Sequence, residues 1–170
     1  RFKYALRLAI FAVISELPFD IGLMGGIYKP DHNNVFFTLL IGLLMIWLME
    51  TVKEKLNGEK QILAVIIYAL TVAAACGTAY FIKSDYIHVG VLTIACFYVL
   101  RLKREWSTTA AVSCLTLLGS SLEAFAFADV FILKVYNGQR GRNLKFFFYI
   151  FYPAHLLLIG LIAHFCFKPV

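Results

Sequence analysis

Long apolar runs, broken by short clusters of charged and turn-forming residues, fill this chain from end to end. The first run covers residues 4–17 (YALRLAIFAVISEL) and ends at Pro18, and the PFDIGLMGGIYKPDHN segment that follows carries Gly25, Gly26 and Pro30 as breakers. A second run, 34–50, is closed by ETVKEKLNGEK, a third, 62–82, by KSD, a fourth, 86–101, by RLKRE, and the last covers 145–167. Runs of this length and apolarity predict membrane-spanning helices.

The stretch from Trp106 to Val135 is thirty residues long, with Gly119-Ser120-Ser121 near its middle. A single helix would measure about 45 Å at 1.5 Å per residue, against a hydrocarbon core of roughly 30 Å. The alternative is two short helices, and the placement of Lys and Arg decides between them. With two helices, thirteen of the sixteen basic residues fall on one side, leaving Lys29, Lys83 and Lys168 opposite; with one, the split is ten against six. The two-helix reading predicts seven spans, with the N-terminus of this chain cytoplasmic and its C-terminus outside. The fold class is thus all-α, a polytopic membrane helix bundle, with residues 1–170 forming one transmembrane domain.

Composition narrows the solvent further. The chain is 61% hydrophobic and 15% charged, with a mean hydropathy of +0.80, whereas soluble domains are about 45–50% apolar and about 25% charged. One core in 170 residues cannot hide that much apolar surface from water. Disordered, collagenous, disulfide-scaffold and nucleic-acid-binding classes are excluded on the same figures. The net charge of +6 reports topology and anionic lipid. Cys76, Cys96, Cys114 and Cys166 lie inside apolar runs without a CxxC pair and read as small core residues. The opening residues RFKYALR read as the flank of a helix already under way, so one or more further spans are expected upstream.

Ionisable groups at membrane depth mark functional sites by default. His155 lies ten residues into the last run, about 15 Å along it. Pro153 lacks the N–H that would bond the Tyr149 carbonyl, and Tyr152 shares a helix face with His155. Two readings of His155 stand: a buried histidine bonded to a neighbouring helix, or a proton-transfer group working near neutral pH. Asp129, in EAFAFADVFILK, either faces a hydrated cavity or pairs with a cation on another helix. Glu123 reads as interfacial. Ser84 or Asp85 is a candidate N-cap for the fourth span and Asn33 or Asn34 for the second. Glu16, Asp20, Asp31, His32 and His88 sit in the same outer breaks; no HExxH occurs and no metal site is expected.

On the cytoplasmic side, KVYNGQRGRNLK joins a turn (Asn137-Gly138, Gly141) to Lys134, Arg140, Arg142 and Lys145. Such a loop can hold donor phosphates through guanidinium forks and backbone N–H groups. It also serves as a stop-transfer cluster against anionic lipid. The neighbouring RLKRE segment shares this face.

Several segments together resemble the TraX family of bacterial inner-membrane proteins: LAIFAVISELPFD (8–20), NVFFTLLIGL (34–43), DYIHVG (85–90), VYNGQRG (135–141) and FFYIFYPAHLLL (147–158). The resemblance implies acyl transfer, the family being associated with acetylation of conjugative pilin and related to membrane acyltransferases that take acetyl from cytoplasmic acetyl-CoA. Carried over by position, its motif residues are Glu16, Asp20, Asn34, Thr38, Asp85, Asn137, Gly138, Arg140, Gly141, Tyr152, Pro153 and His155. On this basis His155 and Asp85 are the catalytic candidates. Arg140, Arg142, Asn137, Gly138 and Lys145 are the candidates for the donor. Glu16, Asp20, Asn34, Tyr152 and Asp129 are expected to bind the acceptor or support the site. Family members typically begin with a span carrying an Asp-His pair, and a principal catalytic histidine is expected in such a segment upstream of Arg1.

The expected function is therefore transfer of acetyl from acetyl-CoA to an amine or hydroxyl of a pilin-like peptide or envelope molecule. Membrane lipids and the acyl acceptor are the expected partners, without nucleic acid. One alternative is a small ion- or proton-coupled transporter with Asp129 and His155 as its relay, against which the lack of an inverted repeat counts. Another is a non-enzymatic membrane subunit of a pilus or secretion assembly.

Overall fold

A computed structural model describes residues 2–167 except 28, 30, 57–59, 120, 140 and 143, and leaves aside the side chains of 104, 105, 121, 122, 145 and 167. The described residues form seven α-helices and no strand: α1 (Phe2–Phe19), α2 (Val35–Leu56), α3 (Gln61–Ile82), α4 (Ile87–Val99), α5 (Arg104–Leu118), α6 (Phe127–Val135) and α7 (Lys145–Phe167). The all-α expectation holds. Three stretches, Val35–Leu56, Gln61–Ile82 and Phe146–Cys166, are long and apolar enough to cross a membrane unaided. At about 20 Å, α4 is shorter than the hydrocarbon core. The break at Gly119 is real: a 3-10 turn, Ser121–Ala126, separates α5 from α6, and α6 folds back onto α5.

Two boundaries differ from the sequence reading. Pro18 does not end the first helix, which runs to Phe19 and widens into a π-helical turn, Asp20–Met24. A proline removes only its own N–H from the ladder, and a π turn is one way a helix absorbs an irregular register. The turn stops at Gly25, which is left-handed at φ 67°. The second helix does not stop at the charged ETVKEKL segment but continues through it to Leu56. Glu, Lys and Leu are strong helix formers, and Lys53 and Lys55 in the last turn face the negative end of the helix dipole.

The core lies between α2, α3 and α4, where Ile41, Met45, Met49, Ala75, Ala79, Val91, Ala95 and Tyr98 pack together. Small residues bring these helices close: a Cβ on Gly42 would overlap Ile94. At the far end of α2, the Tyr98 hydroxyl donates to Glu50 (2.6 Å), the Arg101 guanidinium pairs with the same carboxylate (2.9 Å), and its Cζ lies 4.0 Å from the centroid of the Tyr98 ring. This brace went unread in the sequence; its one signal is an acid closing an apolar run with a Tyr-x-x-Arg at the end of another.

By contrast, α6 packs on α5 and the 3-10 turn, and α7 on α1 and the π turn. Gly160 meets the backbone of Gly22, a small-residue approach typical of membrane helices. The other sides of α7 are open, so Cys166 is exposed rather than in the core as its apolar run predicted; Cys76, Cys96 and Cys114 are half-buried free thiols.

Candidate functional site

The site is built where the segments leading into α2 and α4 meet. The N–H of Asn33 donates to the Lys83 carbonyl (2.9 Å) and the N–H of Asp85 to the Asn33 carbonyl (2.7 Å), pairing Asn33 with Ser84 in a single parallel bridge. The Asn33 side chain donates to the Ile82 carbonyl. Asn34, fully buried, caps α2 as predicted: its Oδ1 accepts the Phe36 N–H at 3.0 Å. Its amide nitrogen donates to the Ala12 carbonyl (2.7 Å) and to Glu16 Oε2 (2.5 Å), so one side chain ties α2 to α1 and fixes the Glu16 carboxylate.

Thr38, one turn into α2, is buried and donates to the Asp85 carbonyl, with the Ser84 hydroxyl 3.1 Å away. This approach depends on Gly90, where a Cβ would lie 2.7 Å from the Thr38 methyl. Neither Ser84 nor Asp85 caps α4, contrary to the sequence expectation. The Asp85 carboxylate accepts the N–H of Tyr86 (3.1 Å), Ser84 is drawn into the Thr38 contact, and the residue ahead of α4 is Tyr86, in a left-handed conformation. Lys83, Tyr86 and Ile87 all have positive φ (53°, 61° and 43°). For a β-branched residue such as Ile87 this is strained backbone, which surrounding structure must hold in place. Glu123 lies within electrostatic range of Tyr86 and Asp85, which brings the 3-10 turn to the same place.

Asp85 is half-buried, and its carboxyl titrates above the ordinary 3.8. Burial is the main cause; the Tyr86 N–H opposes it, Glu123 adds to it and His32 opposes it. The nearby ion pair, Lys83 Nζ to Asp31 Oδ1 at 3.2 Å, is exposed and of little energetic weight.

From α7, Tyr152 reaches this cluster. Its ring packs edge-on against Phe36 (5.0 Å between centroids), and it lies within electrostatic range of Asp85, Glu16 and Tyr86. One turn on, His155 stacks on Phe151 and contacts the Tyr152 ring. His155 Nδ1 lies 2.9 Å from the Phe151 carbonyl. A carbonyl can only accept, so Nδ1 carries the proton and Nε2 of the neutral ring keeps its lone pair. Neither reading of His155 anticipated that this partner lies on its own helix.

Five of the motif residues, Glu16, Asn34, Thr38, Asp85 and Tyr152, thus come together from four separate segments. A family model described as TraX protein matches residues 1–163. The chain belongs to the TraX family. Searches of curated proteins and of solved structures returned no match. This TraX-family chain is a membrane protein, and four of the five segments that carried the resemblance build the cluster; the fifth, 135–141, lies apart from it.

The remaining predicted site residues lie apart from it. Asp20 is buried in the π turn; Oδ2 accepts the Lys29 N–H at 2.9 Å, while Oδ1 and the buried Ser15 hydroxyl have no protein partner among the described residues. Asn137, Gly138, Gly141 and Arg142 are exposed. There the Asn137 side chain accepts the Gln139 N–H (3.0 Å) and the Tyr136 hydroxyl donates to the Gln139 carbonyl (2.6 Å), while Gly138 supplies φ 78°. Arg140 lies outside the described residues, as does the side chain of Lys145, which begins α7. Asp129 is in the first turn of α6. Since α6 and α7 do not pack together, the structure does not join Asp129 and His155 into the relay that the transporter alternative requires.

The link from Tyr86 to Glu123 was missed in the sequence, where Glu123 read as merely interfacial. Its signal was weak: a Tyr after the motif Asp, and an acid at the break between two short helices.

Proposed function

We propose that this TraX-family chain is an acetyltransferase of the bacterial cytoplasmic membrane that moves acetyl from acetyl-CoA to an amine or hydroxyl of a pilin-like peptide or envelope molecule. The observation that carries this reading is the convergence of Glu16, Asn34, Thr38, Asp85 and Tyr152 beside the His155 imidazole, whose Nδ1 faces the Phe151 carbonyl. The N-terminus of the chain is cytoplasmic in this reading, because that orientation puts thirteen of sixteen basic residues inside.

In the reaction, Nε2 of His155 takes the proton of the acceptor as its nitrogen or oxygen attacks the thioester carbonyl carbon. The new C–N or C–O bond forms and the C–S bond breaks, and the departing CoA sulfur receives the proton back from the imidazolium. Asp85, Glu16 and Tyr152 orient the acceptor. Arg142, Arg140 and Lys145, with the Asn137-Gly138 turn, hold the donor phosphates. Lys145 begins α7, which separates it from His155 by about 15 Å, so in this reading the donor lies along the helix with its thioester at the imidazole. Conjugation is the setting that the family suggests.

The test incubates the full chain in proteoliposomes with labelled acetyl-CoA, a peptide bearing a free N-terminal amine and envelope extract. Label should pass to the acceptor, and His155→Ala should lower turnover by about 10²–10⁴-fold. Failure of label transfer together with no thermal stabilisation by CoA overturns the reading.

A further inference from the structure

A second polar feature lies away from the motif cluster, in a cavity of about 340 Å³ between α4, α5 and α6. Its walls are mostly apolar, with Phe97, Val112 and Ala126 among them, and its polar groups are Asp129, Thr93 and Thr108. Thr93 donates its hydroxyl proton to the Val89 carbonyl (2.9 Å), so its oxygen presents lone pairs to further donors. Asp129 makes no hydrogen bond or ion pair among the described residues, and no Lys or Arg lines the cavity. It stands in a helix otherwise composed of Phe, Ala, Val, Ile, Leu and the terminal Lys134.

A carboxylate in apolar surroundings is costly unless something cationic or protic meets it. The ligand that answers both the carboxylate and the walls has a cationic donor head on an apolar stem. We infer that this cavity is a binding site for a primary alkylammonium group, with Asp129 accepting from the ammonium, Thr93 as a further acceptor, and Phe97, Val112 and Ala126 enclosing the stem. The group is supplied either by a small amphiphilic amine or by a lysine side chain on an apolar helix. The site is separate from the acyl-transfer cluster and does not depend on the acetyltransferase reading, since α6 has no contact with α1 or α7.

The experiment titrates the full chain in nanodiscs with n-hexylammonium and, in parallel, n-hexanol, following binding by calorimetry. Saturable hexylammonium binding is expected, at least about tenfold tighter than hexanol, as a charge-assisted bond implies. Asp129→Asn should remove that preference while Asp129→Glu keeps part of it. Ala126→Leu, which fills the cavity without touching the charge, should weaken both ligands, with circular dichroism confirming that each variant is folded. A lysine-bearing apolar helical peptide and its norleucine counterpart form the third arm; competition by the lysine peptide alone identifies a side chain as the source, and no competition identifies the free amine. Equal binding of hexylammonium and hexanol, unchanged preference in Asp129→Asn, or no saturable binding overturns the inference.

Discussion

The cluster at the starts of α2 and α4 and the basic loop between α6 and α7 both carry motif residues, but they hold them differently. In the cluster, Asn34 bonds partners 18 and 22 positions away and Thr38 reaches across 46. In the loop, the bond from the Tyr136 hydroxyl spans three positions and the bond to the Asn137 side chain two, and their partners are exposed. Long-range bonds among buried groups make each partner depend on the rest, since any orphaned group bears its full desolvation cost. Local bonds on a wet surface leave residues free to meet a ligand and nearly irrelevant to folding. The first region is therefore part of the folded structure; the second is a surface on which, in the proposed reading, the donor is held.

That contrast breaks most visibly at Asn34. Asn34→Ala leaves the Phe36 N–H without its cap and removes the side-chain bonds to the Ala12 carbonyl and the Glu16 carboxylate, which keeps only the backbone N–H of residue 34 at 3.3 Å. At about 1–3 kcal/mol for each buried unpaired group, partly relieved by water, the expected loss is roughly 3 kcal/mol. Chemical unfolding in detergent micelles measures it. An Asn34→Ala chain as stable as the parent would mean that the cluster does not tie α1 to α2.

The Asp85 carboxyl gives a pH signature of intermediate size. Because its folded-state value lies above the ordinary 3.8, its protonated form is the one favoured by folding. The contribution is fully present below 3.8 and is lost as pH rises through the raised folded value. Relative to Asp85→Asn, the parent chain should lose stability across that window, and parallel melting curves over a pH series would show it. Parallel pH profiles for the two chains would contradict the burial of this carboxyl.

The smallest effects belong to the loop. Gly138→Ala, at φ 78°, should cost about 1 kcal/mol or less, and Arg142→Ala should change stability by no more than about 0.5 kcal/mol. If the loop holds the donor, Arg142→Ala should nevertheless weaken CoA binding measurably. A large stability loss with unchanged CoA binding would reverse the contrast.

Much of this was legible in the residues. Apolar run length gave six blocks, Gly119 and the charge split divided 106–135 to make seven helices, Asn33 or Asn34 was identifiable as a cap, and four of the five motif segments are those that meet in the cluster. These features are local or additive: hydropathy, turn chemistry and charge counts need no partner. The helix through Pro18 and the extension of α2 to Leu56 were misread because breakers and charges are weak against a helix already propagating. The contact of Ser84 with Thr38, the placement of Tyr86 ahead of α4 and the approach of Glu123 to it were out of reach for another reason. Each depends on which distant segment the fold brings alongside, and on a missing Cβ at Gly90 that matters only once Thr38 is there. Hydropathy and turn chemistry fix the solvent, the helices and the residues that break the apolar pattern. Which of those residues meet is set by packing, because a polar side chain at membrane depth takes its chemistry from its neighbours.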